Sequence, residues 1–157
     1  MIKNNKTVIS VLLLSILIIC AFLVFAACPN GSSDNQDESE GEVTFMTITI
    51  GNKQFAATLY DTEAAQAFAN MLPMTLDMSE LNGNEKYNYL ATSLPTKSER
   101  VGNITAGDVM LYGNNCIVLF YKSFSTPFSY TKIGKINDVS GLQQAVGSGN
   151  VTVTFQI

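Results

Sequence analysis

The hydrophobic and polar positions of this chain fall into three regimes. Residues 8–27, VISVLLLSILIICAFLVFAA, are an apolar run without a charge, preceded by Lys3 and Lys6. Residues 29–42, PNGSSDNQDESEGE, hold no Leu, Ile, Val or aromatic side chain. From residue 43 onward short apolar and polar runs mix, as they do where elements bury one face in a core. Residues 43–50, VTFMTITI, alternate and are β-branched, which predicts a strand. Gly51-Asn52-Lys53 predicts a turn and 54–60 the second strand of a hairpin. Asp61 or Thr62 is placed to cap a helix reaching about Leu72, with Ala64, Ala65, Phe68, Met71 and Leu72 on one face and Pro73 as its stop.

The pattern continues in strands. Residues 74–81 (MTLDMSEL) and 85–90 (EKYNYL) are strand-like on either side of the turn Asn82-Gly83-Asn84. Residues 91–106 read as loop, with Pro95 and Gly102. Val109–Tyr112 and Cys116–Tyr121 flank Gly113-Asn114-Asn115, residues that tolerate positive φ, and predict a second hairpin. Ser123–Ser129 reads as a loop and Tyr130–Ile136 as a strand. Asp138 is placed to cap a short helix carrying Leu142 and Val146 and closed at Gly147, before an alternating last strand over 151–157. Many short strands with two helices predict a mainly β domain, a barrel or sandwich whose ends the helices cap.

The first two regimes predict export and attachment. A basic start, an apolar core and small residues before a cysteine form the layout of a secretory signal, and Lys3 and Lys6 stay on the cytoplasmic side. The junction Phe25-Ala26-Ala27-Cys28 resembles a bacterial lipobox, although Phe25 stands where an aliphatic residue is usual. That resemblance implies a signal peptide over 1–28, cleavage before Cys28 and lipidation of its thiol. The chain would then be a lipoprotein of the cell membrane, facing outside the cytoplasm. An uncleaved signal/anchor helix gives the same topology, because twenty residues at ~1.5 Å each span ~30 Å. Residues 29–42 predict a disordered acidic linker with a typical reach of ~20 Å, leaving 43–157 as the folded domain.

Charge and cysteine content narrow the chemistry. The chain carries a net −4, and the linker holds five acids and no base. Residues 43–157 contain seven Lys/Arg and eight Asp/Glu, a balance of −1, so no basic patch points to nucleic acid. There is no His, which excludes Cys-His and Ser-His pairs and histidine metal sites. Cys116 is the one cysteine of the domain; its apolar neighbours predict a buried side chain rather than a reactive thiol. Asp77 with Glu80, or Glu85 with Asp108, offer carboxylates, but nothing in their spacing demands an acid–base pair. Residues 147–150, GSGN, read as a turn and not as a phosphate loop. No cofactor and no metal site is legible.

Several stretches together resemble the bacterial cyclophilin-like family of small barrel proteins. They are TITIGNKQFAATLYD (47–61), LNGNEKYNYL (81–90), AGDVMLYGNNCIVLFY (106–121) and SYTKIGKINDVSGL (129–142). The resemblance implies a closed eight-stranded β-barrel with two capping α-helices, and some relatives accompany flavodoxin-like domains, which implies a redox partner of that kind. True cyclophilins isomerise prolyl bonds with an arginine beside an apolar pocket holding a Trp and a His. This chain has neither Trp nor His, and its single arginine, Arg100, lies outside the resembling stretches. No catalytic residue is carried over.

Two sets of residues are candidates for ligand binding. Alternation puts Glu85, Tyr87 and Tyr89 on one face of a strand and Lys86 and Asn88 on the other. Tyr112, Phe120, Phe124, Phe128 and Tyr130 surround a Ser/Thr-rich aromatic loop. The plainer alternative for both is packing against the barrel. The sequence-based expectation is a membrane-tethered module holding a small molecule or peptide in a groove built from 85–89 and 112–130. The alternative is a divergent peptidyl-prolyl isomerase acting on exported proteins.

Overall fold

A computed structural model describes residues 44–157. The signal, Cys28, the whole linker 29–42 and Val43 lie outside the described residues. Among the described residues no helix is long and apolar enough to cross a membrane.

The elements are β1 (Phe45–Ile50), β2 (Lys53–Leu59), α1 (Glu63–Ala69), β3 (Met74–Leu81), β4 (Glu85–Tyr89), β5 (Glu99–Arg100), β6 (Asn103–Ile104), β7 (Asp108–Tyr112), β8 (Cys116–Phe120), β9 (Phe124–Ser125), β10 (Ser129–Ile136), α2 (Leu142–Val146) and β11 (Val151–Gln156). Eight strands run antiparallel in the order β2-β1-β11-β3-β4-β8-β7-β10, and the pairing of β2 with β10 closes the barrel. The closed eight-stranded barrel with two helices is the architecture implied by the resembling stretches.

Alternation explains most of the wall. Met46, Ile48 and Ile50 of β1, Phe55, Ala57 and Leu59 of β2, and Val153 and Phe155 of β11 all turn inward and are buried. Full burial of each such large side chain contributes about 1.5–3 kcal/mol. Helix α1 caps the end where β11 finishes: Thr62 accepts a hydrogen bond from the Ala65 amide at 3.1 Å, and Phe68 meets Phe155 edge-on with centroids 5.5 Å apart. Helix α2 sits where β11 begins and buries Leu142 and Val146. Its cap differs from the expectation. Gly141, at φ 79°, occupies the N-cap without a side-chain bond, and Asp138 instead accepts from the Ser140 amide at 2.9 Å, tightening the turn before the helix. Helix α1 is also shorter than expected, ending at Ala69 with Asn70 as its C-cap.

The closing seam needs a glycine. Gly134 of β10 pairs with Leu59 of β2, and a Cβ there would lie 2.7 Å from the Thr58 carbonyl oxygen. Beside it, the β10–β7 register slips between Lys132 and Gly134, a bulge that increases local bending.

Strand β8 departs from simple alternation. All of Cys116–Phe120 is buried. Ile117 and Leu119 join the barrel interior, whereas Cys116, Val118 and Phe120 belong to a second apolar cluster with Ile104, Met110 and Tyr130 on the outer side of the wall. An outward apolar face must be covered, and segments expected to be bare loop supply the cover. β6 and β9 form a small separate sheet, Ile104 opposite Phe124, packed on this outer cluster.

Candidate functional site

A cleft of about 310 Å³ opens beside this covered patch. Its floor is β8. In the ladder, Tyr87 of β4 faces Val118 and Tyr89 faces Cys116, while Tyr112 of β7 faces Cys116 from the other side. β8 therefore carries one wall, Tyr87 and Tyr89, and the opposite wall, Tyr112, at the two sides of Cys116 and Val118. Tyr130 and Phe128 extend the second wall, and Glu85 with Leu81 and Asn82 completes the lining.

The rings brace one another. Tyr87 and Tyr89 lie 5.8 Å apart at 82°, Tyr112 and Phe128 6.2 Å apart at 83°, and Tyr112 and Tyr130 5.6 Å apart. The two edge-to-face contacts, Tyr87–Tyr89 and Tyr112–Phe128, contribute about 0.5–1.5 kcal/mol each beyond burial. Tyr89, Tyr112 and Phe128 remain largely exposed, whereas Tyr130 is buried. These exposed rings around a concave site form an aromatic surface patch beside the barrel wall.

Of the seven residues expected to bind a ligand, Glu85, Tyr87, Tyr89, Tyr112, Phe128 and Tyr130 line this one cleft. Phe124 does not. Its ring packs against Phe120, centroids 5.8 Å apart, and serves the cover over β8. Cys116, Val118, Leu81 and Asn82 line the cleft without having been foreseen. The signal for the first two was available: a run apolar at every position implies a strand buried on both faces.

Glu85 is the charged group of the lining. It is 9% exposed, and among the described residues no group donates a hydrogen bond to it. Burial, and then the negative charge of Glu80, push its carboxyl above the usual range. Burial, and then the charge of Glu85, likewise raise the Cys116 thiol, which keeps it protonated and unreactive at neutral pH. Burial and Glu85 raise the Tyr130 phenol in the same way.

Lys86, the next residue, enters the opposite side of the wall and is fully buried. Its ammonium donates to Glu80 and to the carbonyls of Gly147 and Gly149, and Tyr121 donates to both Glu80 oxygens at 3.0 Å. Burial raises the Glu80 carboxyl, but the bonds from Lys86, Tyr121 and the Gly83 amide outweigh it and hold it below its usual range. Tyr121 is pushed up to about 12, by burial first and then by its bond to Glu80. This network ties β3, β4, the end of β8 and the 147–150 turn together, so the GSGN turn serves as an acceptor for a lysine.

The other carboxylates have separate duties. Asp77 accepts from the Thr152 hydroxyl at 2.7 Å, and Asp108 accepts from the Thr105 amide and pairs with Lys135 at 3.1 Å. Asp77 and Asp108 thus have partners of their own and form no acid–base pair with Glu80 or Glu85. Arg100 lies in β5, paired with Ser129, and is not part of the cleft lining. Among the described residues no three acids or cysteines gather as metal ligands.

The family model of the Cyclophilin-like family matches residues 48–156. Comparison with curated proteins gives no match.

Proposed function

The chain belongs to the Cyclophilin-like family, and we propose that its barrel is a binding module that holds a small molecule or a peptide segment in the Glu85–Tyr130 cleft. The observation that carries this reading is the juxtaposition of Tyr87 and Tyr89 with Tyr112, Phe128 and Tyr130 across β8. The cleft volume is at the lower end of small-molecule sites, where shape and a few polar groups decide selectivity. No guanidinium or imidazole reaches the cleft to polarise a prolyl amide, and the raised thiol of Cys116 is a poor nucleophile. Binding without turnover fits these groups better than isomerisation.

Attachment belongs to the same proposal. A lipid on Cys28 and the acidic tether 29–42 would hold the barrel near the outer face of a membrane while like charge keeps it off an anionic surface. A flavodoxin-like redox protein is a candidate neighbour, to be sought by pull-down with the membrane-bound chain.

The test uses the full chain in a maltoside detergent. Proline-containing and other short neutral peptides are titrated while the tyrosine-ring resonances are followed. Shifts confined to the cleft tyrosines, lost in Tyr112→Ala, support the module. Clear prolyl-isomerase turnover would replace it with the enzyme reading. Cys28→Ala should change the apparent mass by blocking lipidation and cleavage; retention in the membrane fraction at unchanged apparent mass would exclude lipidation.

A further inference from the structure

The cleft combines one charge with many rings. Its lining carries a single acid, Glu85, no base, and the rings of Tyr87, Tyr89, Tyr112, Phe128 and Tyr130. Glu85 is nine-tenths buried, and among the described residues nothing pairs with it. The nearest lysine in sequence, Lys86, is committed to Glu80 on the other side of the wall. A partly desolvated carboxylate with no protein partner is less favourable than a paired one, and because Glu85 lines the cleft, its oxygens stay open to water or to a partner arriving there.

The rings favour the same kind of partner. Tyr89, Tyr112 and Phe128 line the cleft and stay exposed, so aromatic surface is open to a ligand there. Free aromatic faces attract cations through the ring quadrupole, most strongly for cations that shed their water easily. A bare metal ion does not suit the site, because hard cations need several oxygen ligands and the lining has one carboxylate. An ammonium dressed with methyl or methylene groups suits it: its carbon shell packs on rings and on Val118, and its charge faces Glu85.

We infer that the cleft is a site for an organic ammonium ion, held between the Glu85 carboxylate and the tyrosine rings. This rests on the binding-module reading and names its ligand class. The ammonium can belong to a free small cation or to an alkylated lysine in a peptide; a cleft of about 310 Å³ accommodates either head group.

Choline is titrated into the full chain in maltoside, beside its uncharged isostere in which a tert-butyl group replaces the trimethylammonium. Calorimetry gives affinity and the tyrosine-ring resonances give location. Choline is expected to bind at least about tenfold more tightly than the isostere. In Glu85→Gln, checked for folding by circular dichroism, that preference should fall to the smaller part the rings supply, and an unchanged preference overturns the role of the carboxylate. A trimethyl-lysine peptide binding more tightly than free trimethyl-lysine assigns the ammonium to a peptide; the reverse assigns it to a free cation. Equal binding of choline and isostere in the cleft overturns the charge inference and leaves the binding module standing. Failure of every cation to move the cleft tyrosines also overturns it, and the neutral-peptide titration then decides the broader reading alone.

Discussion

Glu85 and Lys86 are neighbours of opposite charge that cannot neutralise each other, because β4 sends one side chain to the outer cleft and the other through the wall. Lys86 pairs with Glu80 instead. The strand thus separates a paired charge that supports the fold from one that has no protein partner and faces the cleft.

Removing the satisfied partner should be costly. Glu80→Ala leaves the fully buried Lys86 ammonium with backbone carbonyls alone. Breaking a buried pair by deleting one member typically costs about 3–5 kcal/mol, and partial exposure of Glu80 places the expectation near the lower end. Denaturant unfolding measures it; a loss below about 1 kcal/mol would mean the carbonyls suffice.

The two glutamates should pull pH dependence in opposite directions. Glu80 is lowered in the folded state, so its stabilisation is present above the unfolded value of 4.5 and is lost as pH falls through the folded one. Glu85 is raised, so its folded form is favoured at low pH and stability is lost as pH rises from 4.5 through the folded value. Glu85→Gln should therefore unfold at a denaturant midpoint equal to or higher than the parent at neutral pH, with the advantage vanishing in acid. A lower midpoint at neutral pH would show that the carboxylate is stabilising.

The seam between β2 and β10 offers a purely steric test. Gly134→Ala sets a methyl 2.7 Å from the Thr58 carbonyl. Overpacking of this sort costs about 1–3 kcal/mol, and hydrogen exchange at the Lys135 and Asn137 amides, on the β2 side of β10, should quicken with it. Unchanged stability would mean that β2 and β10 part easily.

Phe124 and Phe128 should separate cover from cleft. Phe124 packs on Phe120, so Phe124→Ala should destabilise the β6–β9 cover and speed exchange at Ile104 and Ser125. Phe128 is 55% exposed, so Phe128→Ala should change stability by no more than about 0.5 kcal/mol while weakening ligand binding. The opposite assignment of effects would interchange their roles.

Much of this was legible in advance. The alternation of Thr47, Ile48, Thr49 and Ile50 and the helical spacing of Ala64, Ala65 and Phe68 identify elements, because each reflects a local period. The parity of Glu85, Tyr87 and Tyr89 places them on a common face for the same reason. What brings them beside Tyr112 is the insertion of β8 between β4 and β7, a long-range pairing with no local signature. Phe124 was misplaced because its ring answers to Phe120, a contact across a loop. Lys86 was hidden because a lysine inside a barrel contradicts the pattern by which interiors are read. The short strands β5, β6 and β9, at two residues each, leave no period to detect.

Closure of the barrel has a consequence for recognition. With β2 joined to β10, none of the eight barrel strands is the last strand of its sheet, and among the described residues the terminal strands are the two-residue β5, β6 and β9. A peptide therefore finds no long row of free amides and carbonyls on which to extend the sheet. Main-chain pairing tolerates almost any sequence, whereas rings and a buried carboxylate do not. On the proposed binding reading, selection would rest on side-chain chemistry.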